Sequence, residues 1–116
     1  MICLGDSIAV GLSCEVSYAR VGVGSDEAVQ NWLGVQADVI SLGSNDPLNP
    51  SLYRNLDLIR GRISGQVVWI VPRHPRARRI VRELAGKWGD RVVEFVAKGD
   101  GVHPRSYLEV RRRLAP

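Results

Sequence analysis

The sequence has little of what a metal centre or a disulfide framework needs. Among 116 residues there are two cysteines, Cys3 and Cys14, and two histidines, His74 and His103. None of the four stands at the short Cys/His spacing that a metal site requires, so neither a metal nor any other cofactor is expected. Both cysteines read as small core residues of a reducing compartment, with a Cys3–Cys14 disulfide as the lesser alternative. No apolar run approaches the roughly 18 residues of a membrane span, so none is expected. The first residues, Met1-Ile2-Cys3-Leu4-Gly5-Asp6, carry neither a basic start nor a long apolar stretch. They predict no export signal, and the compartment reads as cytoplasmic or open. Repeats, low-complexity segments and linkers are also lacking. The expectation is one compact domain over residues 1–116, which leaves out large barrels and two-domain enzymes.

Charge of one sign is only mildly in excess. Sixteen Lys and Arg against twelve Asp and Glu give +4, almost all of the basic side being arginine. That favours an anionic partner but is too small to argue for nucleic acid, which is not expected. With 45% hydrophobic and 24% charged residues the balance is that of an ordinary globular chain, not a disordered one.

What the chain does have is an alternation of short β-like runs and helical stretches. Ile2-Cys3-Leu4 stops at Gly5, Ser17 to Val21 at Gly22, and Ala37 to Leu42 at Gly43. Gln66 to Val71 stops at Pro72, and Arg91 to Val96 ends before Lys98-Gly99-Asp100-Gly101. β-branched residues bounded by Gly or Pro are the mark of strands. Between them, Ala77, Ile80, Val81, Leu84, Ala85 and Trp88 share one helical face, with Arg76, Arg78, Arg79, Arg82 and Lys87 on the others. Leu52, Leu56, Ile59 and Ile63 form a second stripe. Ala28, Val29, Trp32 and Leu33 form a third, with Ser25 or Asp26 as N-cap. A last helix is expected from near Pro104 to about Leu114. Trp32, Trp69 and Trp88 read as core or helix–sheet packing. Strand–helix alternation throughout predicts an α/β fold, a parallel five-stranded sheet covered on both faces. The loops after its strands gather at one edge.

Four such loops carry the chemistry. Gly5-Asp6-Ser7 follows the first strand, Gly22-Val23-Gly24-Ser25 the second, Gly43-Ser44-Asn45-Asp46 the third and Asp100-Gly101-Val102-His103 the fifth. Together they supply the parts of a serine acyl-transfer site. A hydroxyl is a poor nucleophile until a base takes its proton, and an imidazole can do so near neutral pH. Ser7 is the candidate nucleophile and His103 the base. Asp100, three residues earlier, is placed to hold the other ring nitrogen. The Ser7 and Gly24 backbone N–H groups and the Asn45 side-chain amide are candidate oxyanion donors, with Gly22 and Ser25 as alternatives to Gly24. Each loop alone is an ordinary turn: Ser7 could cap a helix, Asn45 or Asp46 could turn the chain, and Asp-Gly is a common bend. Their joint occurrence after the right strands is the specific signal. Gly22-Val23-Gly24 lacks the third glycine of a dinucleotide turn, Glu27 standing there, and follows the second strand, so that reading is rejected.

The Gly5-Asp6-Ser7-Ile8 block resembles the Gly-Asp-Ser-Leu block of the SGNH hydrolases (GDSL-like esterases and lipases). Gly43-Ser44-Asn45-Asp46 resembles their Gly-x-Asn-Asp block, and Asp100-Gly101-Val102-His103 their Asp-x-x-His block. The resemblance implies a flavodoxin-like three-layer sandwich and hydrolysis of esters or thioesters without a cofactor. It implies Ser7, His103 and Asp100 as the catalytic triad, with Gly24 and Asn45 in the oxyanion hole. The chain is short for that family, which implies a shallow, open site or one completed by a second subunit or a neighbouring domain. The substrate expected by analogy is a short acyl ester, acetyl-like, on an alcohol or a carbohydrate such as a cell-wall sugar. Lysophospholipase or thioesterase activity is the enzymatic alternative. A different class is a non-catalytic flavodoxin-like module that binds an anionic partner through its arginine faces, the helical arginines being expected away from the catalytic edge. His74, in the loop after the fourth strand, reads as a solvated residue lacking a nearby acid.

Overall fold

A computed structural model describes all residues, Met1–Pro116. Five strands, β1 (Ile2–Gly5), β2 (Val16–Ala19), β3 (Val39–Ser41), β4 (Val68–Ile70) and β5 (Arg91–Val93), form one sheet in the order β2-β1-β3-β4-β5. All four pairings are parallel. Five helices alternate with them: α1 (Ser7–Gly11), α2 (Ser25–Trp32), α3 (Leu52–Gly61), α4 (Pro75–Trp88) and α5 (Tyr107–Leu114). This is the flavodoxin-like order, whose reversal point lies between β1 and β3.

The two-residue period of the strands sorts the core into two layers. Leu4, Ile40 and Trp69 face a cluster completed by Ala28, Leu52, Leu56, Ile59, Ala77, Ile80, Val81 and Leu84 from α2, α3 and α4. Their neighbours Cys3, Val39 and Ile70 face the other way, onto Ile8 and Ala9 of α1 and Val110 and Leu114 of α5. The reversal of strand order explains the division. The β1-to-β2 crossover runs opposite in direction to the next three, so a single handedness puts α1 on the face away from α2–α4.

The rim beneath the amino ends of the strands is tied by a buried ion pair. Arg60, near the end of α3, meets Asp90 in a fork: Nε to Oδ2 at 2.6 Å and Nη2 to Oδ1 at 2.9 Å. Their side chains are 6% and 0% exposed. The remaining polar atoms are satisfied: Arg60 donates to the carbonyls of Ile63 and Gly65, and Asp90 accepts from Trp69 Nε1 and the Val67 amide.

Several local expectations are corrected. Cys3 and Cys14 are joined in a disulfide, with Cα atoms 6.0 Å apart. They are therefore not free core thiols, and the cysteines give no argument for a reducing compartment. The bridge ties β1 to the segment entering β2 and encloses α1. Closing a loop of 11 residues' separation should stabilise the fold by about 2–3 kcal/mol. Reduction is expected to lower the melting temperature by roughly 10 °C or more. An unchanged melting curve in reductant would mean that the two thiols are not bridged. The last helix begins at Tyr107 under the Ser106 cap, not at Pro104, because Pro104 is held in an antiparallel bridge with Ala97. The cap of α2 is Gly24, with Ser25 and Asp26 already inside the helix. Trp69 is fully buried and Trp32 packs against the core. Trp88 instead lies half out of the protein, its ring 5.0 Å from the Arg60 guanidinium carbon and its Nε1 bonded to Asp57. No helix is long and apolar enough to cross a membrane.

Candidate active site

The site assembles at the carboxyl ends of β1 and β3, beside the reversal point. β1 ends where it nearly touches β3: a Cβ on Gly5 would sit 1.9 Å from the Ser41 carbonyl oxygen, so only glycine fits. Asp6 then starts α1. Its Oδ1 accepts from the Ile8 amide at 3.1 Å and from Ser41 Oγ at 3.0 Å, and its own amide donates to the Ser41 carbonyl at 2.9 Å. The helix cap is thus Asp6, and Ser7 occupies the first helical position with its amide unbonded and its side chain free for other work.

That side chain meets the other end of the polypeptide. Ser7 Oγ lies 2.7 Å from His103 Nε2, and His103 Nδ1 lies 2.6 Å from Asp100 Oδ2. The loop that delivers them is a tight turn. Phe95 anchors its base in the core, Ala97 bridges Pro104, and the Lys98 amide donates to the His103 carbonyl at 2.9 Å. At its tip Asp100 Oδ1 accepts from the Val102 and His103 amides at 2.9 and 3.0 Å. The His103 amide above all, then the Val102 amide and the imidazole, hold the Asp100 carboxyl far below the usual carboxylate range. An ionised carboxylate only accepts hydrogen bonds, so it fixes the proton on Nδ1 and leaves Nε2 to accept the Ser7 hydroxyl proton.

The candidate oxyanion donors lie on the same edge. Like that of Ser7, the Gly24 amide makes no hydrogen bond within the chain. Asn45 gives one amide hydrogen to the Val23 carbonyl at 2.9 Å, which orients the group and leaves the second hydrogen free. A carboxylate network places both residues. Asp46 Oδ2 accepts from the Ser25 amide at 2.9 Å, from Ser25 Oγ at 2.6 Å and from Asn49 Nδ2 at 3.0 Å. Asn55 Nδ2 reaches Ser25 Oγ and Asp26 Oδ1 from α3. A Cβ on Gly24 would press on the Asp46 carboxyl carbon at 3.3 Å, so glycine lets the two loops close. Sequence reasoning missed the positioning parts played by Asn55 and Asn49. The one available signal was Asn55 itself, a polar residue on the inward face of α3 between Leu52 and Leu56.

The remaining expectations divide. Gly22 is exposed, and Ser25 is engaged by Asp46 and Asn55, so the Gly24 amide stays the candidate donor of the three. His74 caps α4, its Nδ1 accepting from the Arg76 amide at 3.2 Å, and it borders a cleft of about 210 Å³ beside the triad, along with Ser44, Pro47, Arg73, Gly101 and Val102. The arginines of α4 are not all remote from the catalytic edge. Arg76 donates to the Pro47 and Asn49 carbonyls at 2.6 and 2.9 Å, bracing the loop that carries Asn45.

Asp6 stands out electrostatically. It is fully buried, its Oδ2 has no partner, and burial pushes its carboxyl up to about 6. Because the folded state holds this proton more tightly than the unfolded one, the contribution to stability is present below about pH 4. It is lost as pH rises through about 6. Asp6→Asn should remove this dependence. The variant should gain on the parent by up to about 3 kcal/mol as pH rises from about 4 to about 7. Urea midpoints at the two pH values read this difference, and a constant gap would refute it.

Comparison of the chain with protein-family models, with curated proteins and with solved structures found no match. The functional reading therefore rests on the site alone.

Proposed function

We propose that the protein is a serine ester hydrolase of the SGNH type, working through an acyl-enzyme on short acyl esters, with O-acetylated carbohydrate as the preferred class. The observation that carries this reading is the continuous relay Ser7–His103–Asp100, with contacts of 2.7 and 2.6 Å. Ser7 Oγ attacks the ester carbonyl while its proton passes to His103 Nε2. The carbonyl oxygen becomes an oxyanion that the Ser7 and Gly24 amides and the free Asn45 hydrogen can receive. Collapse breaks the bond to the alcohol, which leaves with the proton from Nε2. Water then adds to the acyl-enzyme by the same exchange, releasing the acid and restoring Ser7.

The short-acyl preference is supported by the cleft beside the triad. At about 210 Å³, lined by Ser44, Pro47, Arg73, His74, Gly101 and Val102, it is small for a long acyl chain. Lysophospholipase or thioesterase activity is the second reading of the same site. A fluorophosphonate probe tests the reading directly. Covalent capture at Ser7, read by peptide mass spectrometry and lost in His103→Ala, is the expected result. Unmodified Ser7 in folded protein would overturn it. Aryl acetate should also be cleaved faster than the matching octanoate.

A further inference from the structure

Resting on the hydrolase reading, we infer that the substrate carries an anionic group, a carboxylate or a phosphate, that seats in an arginine groove leading away from the triad. The groove runs along the start of α4 and measures about 580 Å³. Arg73, Arg78, Arg79 and Arg82 line it with Pro75 and Glu83. Three of the guanidiniums converge on one carboxylate: Arg73 and Arg78 lie 3.4 and 3.3 Å from Glu94 Oε1, and Arg82 bonds Oε2. Arg79 forms no ion pair, nor does Glu83. Four guanidiniums thus face two carboxylates, leaving uncompensated positive charge along an open surface groove. Guanidinium forks match carboxylate and phosphate oxygens in pairs.

Arg73 connects this groove to the reaction. It also lines the cleft beside the triad, where Ser44 precedes the Asn45 donor and Val102 precedes the His103 base. An ester held at Ser7 therefore has its far portion directed toward the arginines. Arg76 takes no part, being committed to the carbonyls of the β3–α3 loop. Glu94 occupies the guanidiniums in the free protein and is the group an incoming anion displaces.

The test compares specificity constants on three acetyl esters: an O-acetylated oligogalacturonate, an acetylated sugar phosphate and a neutral acetylated xylo-oligosaccharide. In Arg78→Ala/Arg82→Ala the ratio of anionic to neutral should fall about tenfold, equivalent to roughly 1.4 kcal/mol. In Glu94→Gln it should rise severalfold, a gain that misfolding cannot produce. Arg112→Ala on α5, outside the groove, should leave the ratio unchanged. The wild-type preference should fade between about 0.01 and 1 M salt, as the screening length shrinks from roughly 30 to 3 Å. Which of the two anionic esters responds tells carboxylate from phosphate recognition. Ester hydrolysis with ratios unmoved by either groove variant would overturn this inference alone. Wild-type protein inert on every ester would overturn the hydrolase reading and this inference with it.

Discussion

Ser7→Ala should lower kcat on an activated acetate ester by about 10⁴-fold or more, and His103→Ala by a similar factor. The double variant should be hardly worse than either, because a nucleophile without its base, or a base without its nucleophile, has already lost the shared step. The geometry makes this demand specific. His103 Nε2 has Ser7 Oγ as its partner at 2.7 Å, and neither residue belongs to the hydrophobic core, so both alanines should fold. Asn45→Ala should sit lower on the same scale, at about 10²–10³-fold, since it removes one of three oxyanion donors and leaves the proton relay intact. Asp100 stays ionised across the working pH range, so its carboxylate keeps the imidazole in one tautomer throughout. Multiplicative losses in the double variant would separate Ser7 from His103 functionally.

Asp90→Ala should cost about 3–5 kcal/mol, a large share of the roughly 5–15 kcal/mol that holds a domain of this kind together. The alanine strands the Arg60 guanidinium in a site where that side chain is 6% exposed, and leaves Trp69 Nε1 and the Val67 amide without their acceptor. Replacing both charges together, as Arg60→Met/Asp90→Leu, should cost much less, because no buried charge then lacks a partner. Urea unfolding of the three proteins measures both values. Equal losses in single and double variants would mean that the pair itself, not the orphaned charge, carries the stability.

Four of the five strands were legible as apolar runs that stop at a Gly or Pro, and their parallel arrangement followed from the helix patterns between them. The meeting of Ser7 with His103 was legible because Ser7 directly follows β1 and His103 lies in the loop after β5, on the same rim of a parallel sheet. What escaped was everything decided by contacts across the sheet. The Cys3–Cys14 bridge depends on α1 being short enough to return Cys14 beside β1. Pro104 would start a helix on local preference, but a bridge to Ala97 holds it in the turn that presents His103. Arg76 reads like the other arginines of α4, yet its position at the first turn sets it against the carbonyls of Pro47 and Asn49. Asp6 looks like half of a turn signal, and only its burial beneath Ser41 reveals an unpartnered oxygen.

Ser7 and His103 stand 96 positions apart in the chain and touch only in the finished fold. A polypeptide emerging from the ribosome therefore displays Ser7 long before His103 exists. Proteolysis has the same effect, because no cut within the intervening span leaves both groups on one piece.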